Sequence, residues 1–256
     1  MRHQPDFLNA HNGAAFQDSE VASLYQLRPL YPDEIIEGLA HRLQGTAGRV
    51  LEIGCGTGFV TRRLAASAAH IHAVDISAAM MSEARSLPGG DNPRIRWHCA
   101  AAETAPFDPP YDLIVSGQAF HWLDWSVMSP RVAALDTPMV LLNVDVKPRW
   151  LDELRALVPL FSTISTYEPF DMVAALDAQG TLRCTERTRH GPYEWEVSID
   201  NYIASFHARS SLTRSRMGRP AADEFDAKLR DLLASESDPL RVIFTVEVAV
   251  MGQSSP

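Results

Sequence analysis

Residues 49–58 read RVLEIGCGTG, an apolar run that breaks into a turn dominated by glycine. Val50, Leu51 and Ile53 predict a buried strand, and Thr57-Gly58-Phe59-Val60-Thr61 predicts the start of a helix. Glycines at 54, 56 and 58 take three Cβ atoms out of the turn between them, so a ligand can approach the main chain closely and meet unpaired helix N–H groups. A glycine turn also serves purely conformational ends, and the next strand decides between the two readings. Residues 69–74 (AHIHAV) form a short apolar run ending in Asp75, about twenty residues past the glycines, where doubly wound folds place an acid for ribose hydroxyls. Asp75 or Ser77 also suits the N-cap of a helix over residues 78–86, and the two roles are compatible at one corner. Strand, turn and acid together point to a nucleotide-cofactor site.

The order and spacing of four blocks resemble those of the class I S-adenosylmethionine-dependent methyltransferases, in particular the small-molecule branch of trans-aconitate methyltransferase-like enzymes. The blocks are VLEIGCGTG at 50–58, VDISAAMMSEAR at 74–85, AAETAPF at 101–107 and YDLIVSGQAFHWLD at 111–124. YQLRPLYP at 25–32 is similar to a Tyr-x-x-x-Arg-Pro-x-Tyr-Pro motif of that branch, so the resemblance covers most of residues 20–145 and thins beyond. It implies S-adenosyl-L-methionine as cofactor and S-adenosyl-L-homocysteine as product. By position it assigns Gly54, Cys55 and Gly56 to the methionyl part, Asp75 and Ile76 to the ribose side, and Ala102 and Glu103 to the adenine. Glu52 would orient the turn, or be a solvated strand-end acid, and Glu103 reads equally as a surface acid. Ala101 departs from the pattern, since many relatives carry an acidic or hydroxyl residue there for the adenine amino group. In the fourth block the resemblance sets Gln118 near the methionine and His121-Trp122 near cofactor or substrate.

A strand over 111–116 puts Gln118, His121 and Trp122 at its carboxyl end, where open α/β sheets bind ligands. His121 is the candidate proton acceptor and Tyr25 the second candidate; the competing reading of His121 is a packed, hydrogen-bonded side chain. Arg28, Tyr31, Trp122, His207 and Arg209 are the candidate substrate contacts, although Tyr25 and Tyr31 could pack between helices, Arg28 could pair with a surface carboxylate, and a purely structural role is the stronger reading of His207 and Arg209. Cys55 reads as a packing residue rather than a nucleophile.

The expected fold is α/β: a doubly wound, mostly parallel, seven-stranded sheet of the Rossmann-like methyltransferase type with a helical substrate lid. Strands are expected at 49–54, 70–74, 94–98, 111–116 and 138–144, then within 181–197 and 241–251. Helices are expected over 19–27, from Pro32 through 43, over 150–157, 199–217 and 221–234. One domain spans residues 1–256, with an N-terminal cap (1–45), a cofactor core (46–146) and a lid-bearing remainder (147–256). The first dozen residues and the tail 252–256 are expected to be loose.

Composition narrows the function. Twenty-three basic against thirty-two acidic residues give a formal charge of −9, which argues against a phosphate-backbone partner. The four arginines of RSSLTRSRMGR at 209–219 suit a small acidic substrate better than nucleic acid. Three scattered cysteines and nine histidines without ligand spacing give no disulfide framework and no metal signature. No leader pattern or bilayer-length apolar run is present, so a cytoplasmic protein with no membrane partner, monomeric or homodimeric, is expected. The expected reaction is methyl transfer to a small molecule, with O-methylation of a carboxylate or hydroxyl as the working reading. N- or C-methylation and a non-methylating cofactor binder are the alternatives. A nicotinamide oxidoreductase fits worse, because GCGTG lacks the wider G-x-G-x-x-G spacing.

Overall fold

The computed structural model describes residues 4–166 and 168–253. The strands within them are β1 (Arg49–Ile53), β2 (His70–Asp75), β3 (Ile95–Cys99), β4 (Leu113–Gly117), β5 (Met139–Val146), β6 (Leu182–Val197) and β7 (Leu240–Gln253). They form one seven-stranded sheet in the order β3-β2-β1-β4-β5-β7-β6. β1 to β5 pair in parallel and β7 runs antiparallel to both its neighbours, which is the mixed, doubly wound sheet expected of the methyltransferase fold.

Strand periodicity sorts the core into two layers. Val50 of β1 points to the face covered by the helices Asp33–His41 and Thr61–Leu64. Leu51 and Ile53 point to the other face, under Trp125–Ala133 and Met172–Gln179. By the same alternation Glu52 lies on the Val50 face, an acid set among apolar residues. A separate apolar cluster, with Trp150, Tyr202, Phe206 and Phe225 at its centre, holds together the helices Leu151–Phe161, Ile199–Phe206 and Arg219–Leu232.

Four expectations change. The helix after the glycine turn begins at Thr61 rather than Thr57 and lasts four residues, because Gly54, Gly56 and Gly58 all adopt positive φ (71°, 52° and 74°), outside the right-handed helical region. The helix expected over 199–217 is two pieces, Ile199–Phe206 and Arg214–Met217, parted at His207, whose ring is tied to the Leu212 carbonyl and so turns the chain. A helix at Met172–Gln179 was not anticipated; its apolar residues are not confined to one stripe, so helical periodicity is faint. The N-terminal segment is not loose where it is described: Phe7 and Leu8 are buried, and Gln4 bonds to distant backbone. Gly252 and Gln253 likewise belong to β7, while residues 1–3 and 254–256 lie outside the described residues.

Candidate functional site

Strand order reverses between β1 and β4, since the chain goes on from β1 to β2 on one side and returns to β4 on the other, and such a switch point opens a crevice beyond the carboxyl ends of the strands. The glycine turn lies there. Its first amides are held by β2: Gly54 N and Cys55 N both donate to the Val74 carbonyl, at 2.8 and 3.1 Å. A Cβ on Gly54 would fall 2.3 Å from Ala119 Cβ, so glycine is required for β1 and the β4 loop to touch. A Cβ on Gly56 would meet no atom within 4 Å, so that side of the turn faces open space.

Asp75 closes the turn from the β2 side. Its Oδ2 accepts from Gly56 N and its Oδ1 from Ser77 N, both at 2.8 Å, and each oxygen keeps acceptor capacity for a ligand. Burial pushes its pKa up, and those two backbone bonds pull against the shift. Ser77, not Asp75, caps the following helix through Met80 N at 3.1 Å, which leaves Asp75 out of the capping role. Next to them Ile76 is 54% exposed, an apolar side chain left uncovered at the crevice.

A cleft of about 440 Å3, including its open mouth, runs along the turn. It brings together Tyr25, Arg28 and Tyr31 from the N-terminal segment, Glu52 with the glycine turn from β1, and Gly117-Gln118 from β4. Arg28 Nη2 donates to Gln118 Oε1 at 3.3 Å and its guanidinium lies 5.1 Å from the Tyr25 ring; among the described residues it has no carboxylate partner, against the surface ion pair weighed from sequence. Gln118 has positive φ (51°), a conformation uncommon for a residue with a side chain, and its amide donates to the Leu142 carbonyl at 2.9 Å. Tyr31 is buried against Gly117, and burial raises its phenol pKa. Thr57 was not singled out from sequence. It is 1% exposed, lines the cleft, and its Oγ1 has no hydrogen-bond partner, the mark of a polar atom waiting for a ligand or water.

Glu52 is 3% exposed and accepts from the Thr61 hydroxyl. Its pKa is pushed up to about 8, first by burial and further by Asp75, with Thr61 and Arg62 opposing. The folded chain therefore keeps a proton that the unfolded chain loses between about pH 4.5 and 8, so stability falls as pH rises through that window and the loss is complete above it. Glu52→Gln is expected to remove that fall, narrowing the difference in unfolding free energy between pH 5 and pH 8 by on the order of 3 kcal/mol. Urea titrations at the two pH values measure it, and an undiminished difference would mean that Glu52 titrates normally. Cys55 is buried with a thiol pKa well above the ordinary value, which fits packing and not nucleophilic attack.

His121 and Trp122 lie in the short 3-10 turn Phe120–Trp122 beyond β4 and do not line the cleft. Burial, and then the Arg28 charge, lower the His121 pKa to about 4, so its imidazole is neutral at physiological pH. Trp122 packs edge-on against Phe16, centroids 5.6 Å apart, which makes it a wall shared with the N-terminal segment. Ala102 is buried, and Glu103 Oε1 accepts from Asp124 N at 3.0 Å, which ties the third block to the next helix and leaves the second carboxylate oxygen available. Two substrate candidates are corrected. His207 is 1% exposed, with its ring nitrogens 2.7 Å from the Leu212 carbonyl and 2.8 Å from Asp226 Oδ1, so it braces the lid. Arg209 lies over the Phe206 ring at 4.1 Å, and neither residue lines the cleft. The arginine run around them is spent on the protein: Arg214 pairs with Glu20 and Asp226, and Arg216 donates to the Ser210 and His11 carbonyls.

Residues 50–136, which hold the glycine turn, Asp75 and the β4 loop, match the family model described as a methyltransferase domain. Over those residues the chain resembles a methyltransferase domain. A malonyl-[acyl-carrier protein] O-methyltransferase of Anoxybacillus flavithermus is 38% identical over 107 residues, covering 41% of this chain and 40% of that protein. An uncharacterized methyltransferase of Mycobacterium tuberculosis is 31% identical over 166 residues, covering 60% of this chain and 65% of the relative. The chain thus spans less than two thirds of either relative's length. A type II methyltransferase structure from Anaeromyxobacter dehalogenans superposes with a TM-score of 0.61 at 22% identity, over 90% of this chain and 99% of that one. A methyltransferase from Thiobacillus denitrificans, solved in complex with S-adenosylhomocysteine, superposes with a TM-score of 0.51 at 15% identity, over 88% and 93% of the two chains. Both likenesses are of fold.

No group of three or more His, Cys, Asp or Glu among the described residues is placed to hold a metal ion. No helix among them is long and apolar enough to cross a membrane.

Proposed function

We propose that this chain transfers the methyl group of S-adenosyl-L-methionine to an oxygen of a small molecule. The observation that carries the reading is the glycine turn of β1 fastened to Asp75, with the orphaned Thr57 hydroxyl and an Arg28 guanidinium that has no carboxylate partner among the described residues at its other end. These groups fit the cofactor part by part. Asp75 has acceptor capacity for two ribose hydroxyls, Ile76 offers an apolar edge to the adenine, and the adenine side is completed by Ala102 and Glu103. The bare amides of the turn, Thr57 Oγ1 and Arg28 suit a carboxylate, and buried Glu52, which keeps its proton up to about pH 8, would face a cation on giving that proton up. On this reading Arg28 serves the cofactor's amino-acid end, with Gln118 holding it in place, rather than the acceptor.

When bound, S-adenosyl-L-methionine supplies an electrophilic methyl on a sulfonium, and the protein's task is alignment and the exclusion of water. A carboxylate acceptor is already an anion and needs no base. A hydroxyl acceptor would need a base: His121, neutral above about pH 4, is set back from the cleft in the turn beyond β4 and would serve only an acceptor that reaches that turn, with Tyr25 at the cleft wall as a second polar contact. Tyr31 lines the cleft beside Gly117, and Trp122 packs against Phe16 outside it. Oxygen is favoured as the acceptor atom by the O-methyltransferases among the relatives. Incubation with S-adenosyl-L-methionine and a panel of carboxylic acids, phenols and amines, read as S-adenosylhomocysteine formed, tests this. Turnover on acids or phenols is expected, and turnover on amines alone would overturn the O-methylation reading.

A further inference from the structure

The N-terminal segment crosses the crevice from one wall to the other. At the β4 wall, Gln4 Nε2 donates to the carbonyls of His121 at 2.8 Å, Leu123 at 3.0 Å and, within the segment, Leu8 at 3.0 Å. One amide nitrogen with two hydrogens thus serves three acceptors, two of them bracketing Trp122 in the turn that carries His121. The chain then passes over Trp122, which lies 3.7 Å from where a Gly13 Cβ would be, and sets the Phe16 ring between Trp122 and Tyr25. At the β2 wall, the Ser77 hydroxyl donates to the Phe16 carbonyl at 2.8 Å, and Val21 and Ala22 pack on Met80. Ser77 is two residues from Asp75, so the segment reaches from the acid of β2 to the histidine beyond β4. It is held from outside by Arg216, which donates to the His11 carbonyl, and by Arg214 on Glu20 at 2.8 Å.

A cofactor lying along the glycine turn would therefore lie beneath this strap. The space enclosed within the cleft is only about 30 Å3, far below ligand-pocket volumes of about 300–1,000 Å3, so cofactor and acceptor do not enter with the strap shut. The strap is fastened by hydrogen bonds at both margins and by the buried side chains of Phe7, Leu8, Val21 and Ala22, so opening it breaks both kinds of contact.

We propose that Gln4 is a positioning residue: its amide latches the strap of residues 4–24 onto the turn bearing His121, so that roofing the crevice and setting His121 in place are one event. The part of this concerning the cofactor rests on the methyl-transfer reading; the latch itself does not. Gln4→Glu tests it with an isosteric side chain that loses both donors and sets a carboxylate against three carbonyl oxygens. Gln4→Ala serves as the second variant, without the added charge.

Three readouts are taken on the full chain: chymotryptic cleavage at Phe7, Leu8 and Phe16, the dissociation rate of S-adenosylhomocysteine, and the titration of His121 by NMR. His72 is the internal reference, because its pKa is also lowered to about 4 but it bonds to Tyr111 and His98, away from the strap. With the latch broken, cleavage within the strap and ligand dissociation are each expected to rise on the order of tenfold. The His121 midpoint is expected to climb from about 4 toward the ordinary 6.5 while that of His72 stays. Cleavage and dissociation at the unaltered rates would overturn the latch. A strap that opens while the His121 midpoint stays at about 4 would overturn the positioning role. If S-adenosylhomocysteine binds neither form, the methyl-transfer reading fails, and cleavage together with the His121 titration still decides the latch.

Discussion

Gly54→Ala is expected to cost this protein about 2–5 kcal/mol of stability and to abolish measurable cofactor binding. Two costs add at this position. Gly54 has φ 71°, in the left-handed region, where a Cβ costs roughly 1–2 kcal/mol. The new methyl would also stand 2.3 Å from Ala119 Cβ, well inside contact distance, and overpacking of that kind costs about 1–3 kcal/mol. Neither neighbour is free to yield, because Gly54 N is bonded to the Val74 carbonyl at 2.8 Å and Ala119 immediately precedes the Phe120–Trp122 turn. Relief would come by moving the carboxyl end of β1 away from that of β4, which pulls the crevice apart. At the roughly 2–4 °C per kcal/mol typical of a chain this size, the melting temperature should fall by about 4–20 °C. Gly56→Ala is the informative companion. Its added Cβ meets nothing in the protein, so it should cost only the left-handed penalty of about 1–2 kcal/mol while blocking the ligand's approach to the turn. Melting curves and S-adenosylhomocysteine calorimetry on the pair separate the effects, and a Gly54→Ala protein that melts and binds normally would refute the close approach of β1 to the β4 loop.

Asp75→Ala should weaken cofactor binding by about 100- to 1,000-fold, the effect of losing two charge-assisted hydrogen bonds at about 1.5–3 kcal/mol each with partial compensation by water. The carboxylate has two jobs. It holds Gly56 N and Ser77 N, thereby fixing the turn to the next helix, and on the present reading its remaining lone pairs take the ribose hydroxyls. Asp75→Asn divides the jobs, since an amide oxygen still accepts one backbone N–H but the amide nitrogen offers no acceptor to a second hydroxyl. Its affinity should fall between those of the unaltered chain and Asp75→Ala. Equal binding by Asp75→Ala and the unaltered chain would end the ribose assignment.

The cofactor half of the molecule was legible in the sequence because its information is local. Parallel strands buried on both faces read as apolar runs, and the backbone that must take positive φ or lie against a neighbour is written as glycine at 54, 56 and 58. The same glycines also explain the one local misreading there, a helix begun four residues too early. What escaped depends on partners far apart in the chain. His207 was a candidate substrate contact because nothing near it in sequence announces Asp226, nineteen positions on, and nothing near Arg209 announces that it lies over the Phe206 ring. Gln4 is a polar residue in an unpatterned leader, and only folding brings it to the carbonyl of a residue 117 positions away. Thr57 sat in plain view inside the glycine block, yet its significance is the absence of a partner, which a sequence does not display. An acceptor side as proposed is hardest to read for this reason: the N-terminal strap and the β4 loop come from separate parts of the chain, with no shared period or spacing.

Calorimetric titration of the purified chain with S-adenosyl-L-methionine, S-adenosyl-L-homocysteine and NAD tests the central claim most directly. The account predicts micromolar binding of the first two and none of NAD, because the turn, Asp75, Thr57 and Arg28 are matched to a nucleoside that carries an amino acid. A folded sample that binds neither sulfur nucleoside, or that prefers NAD, would contradict it.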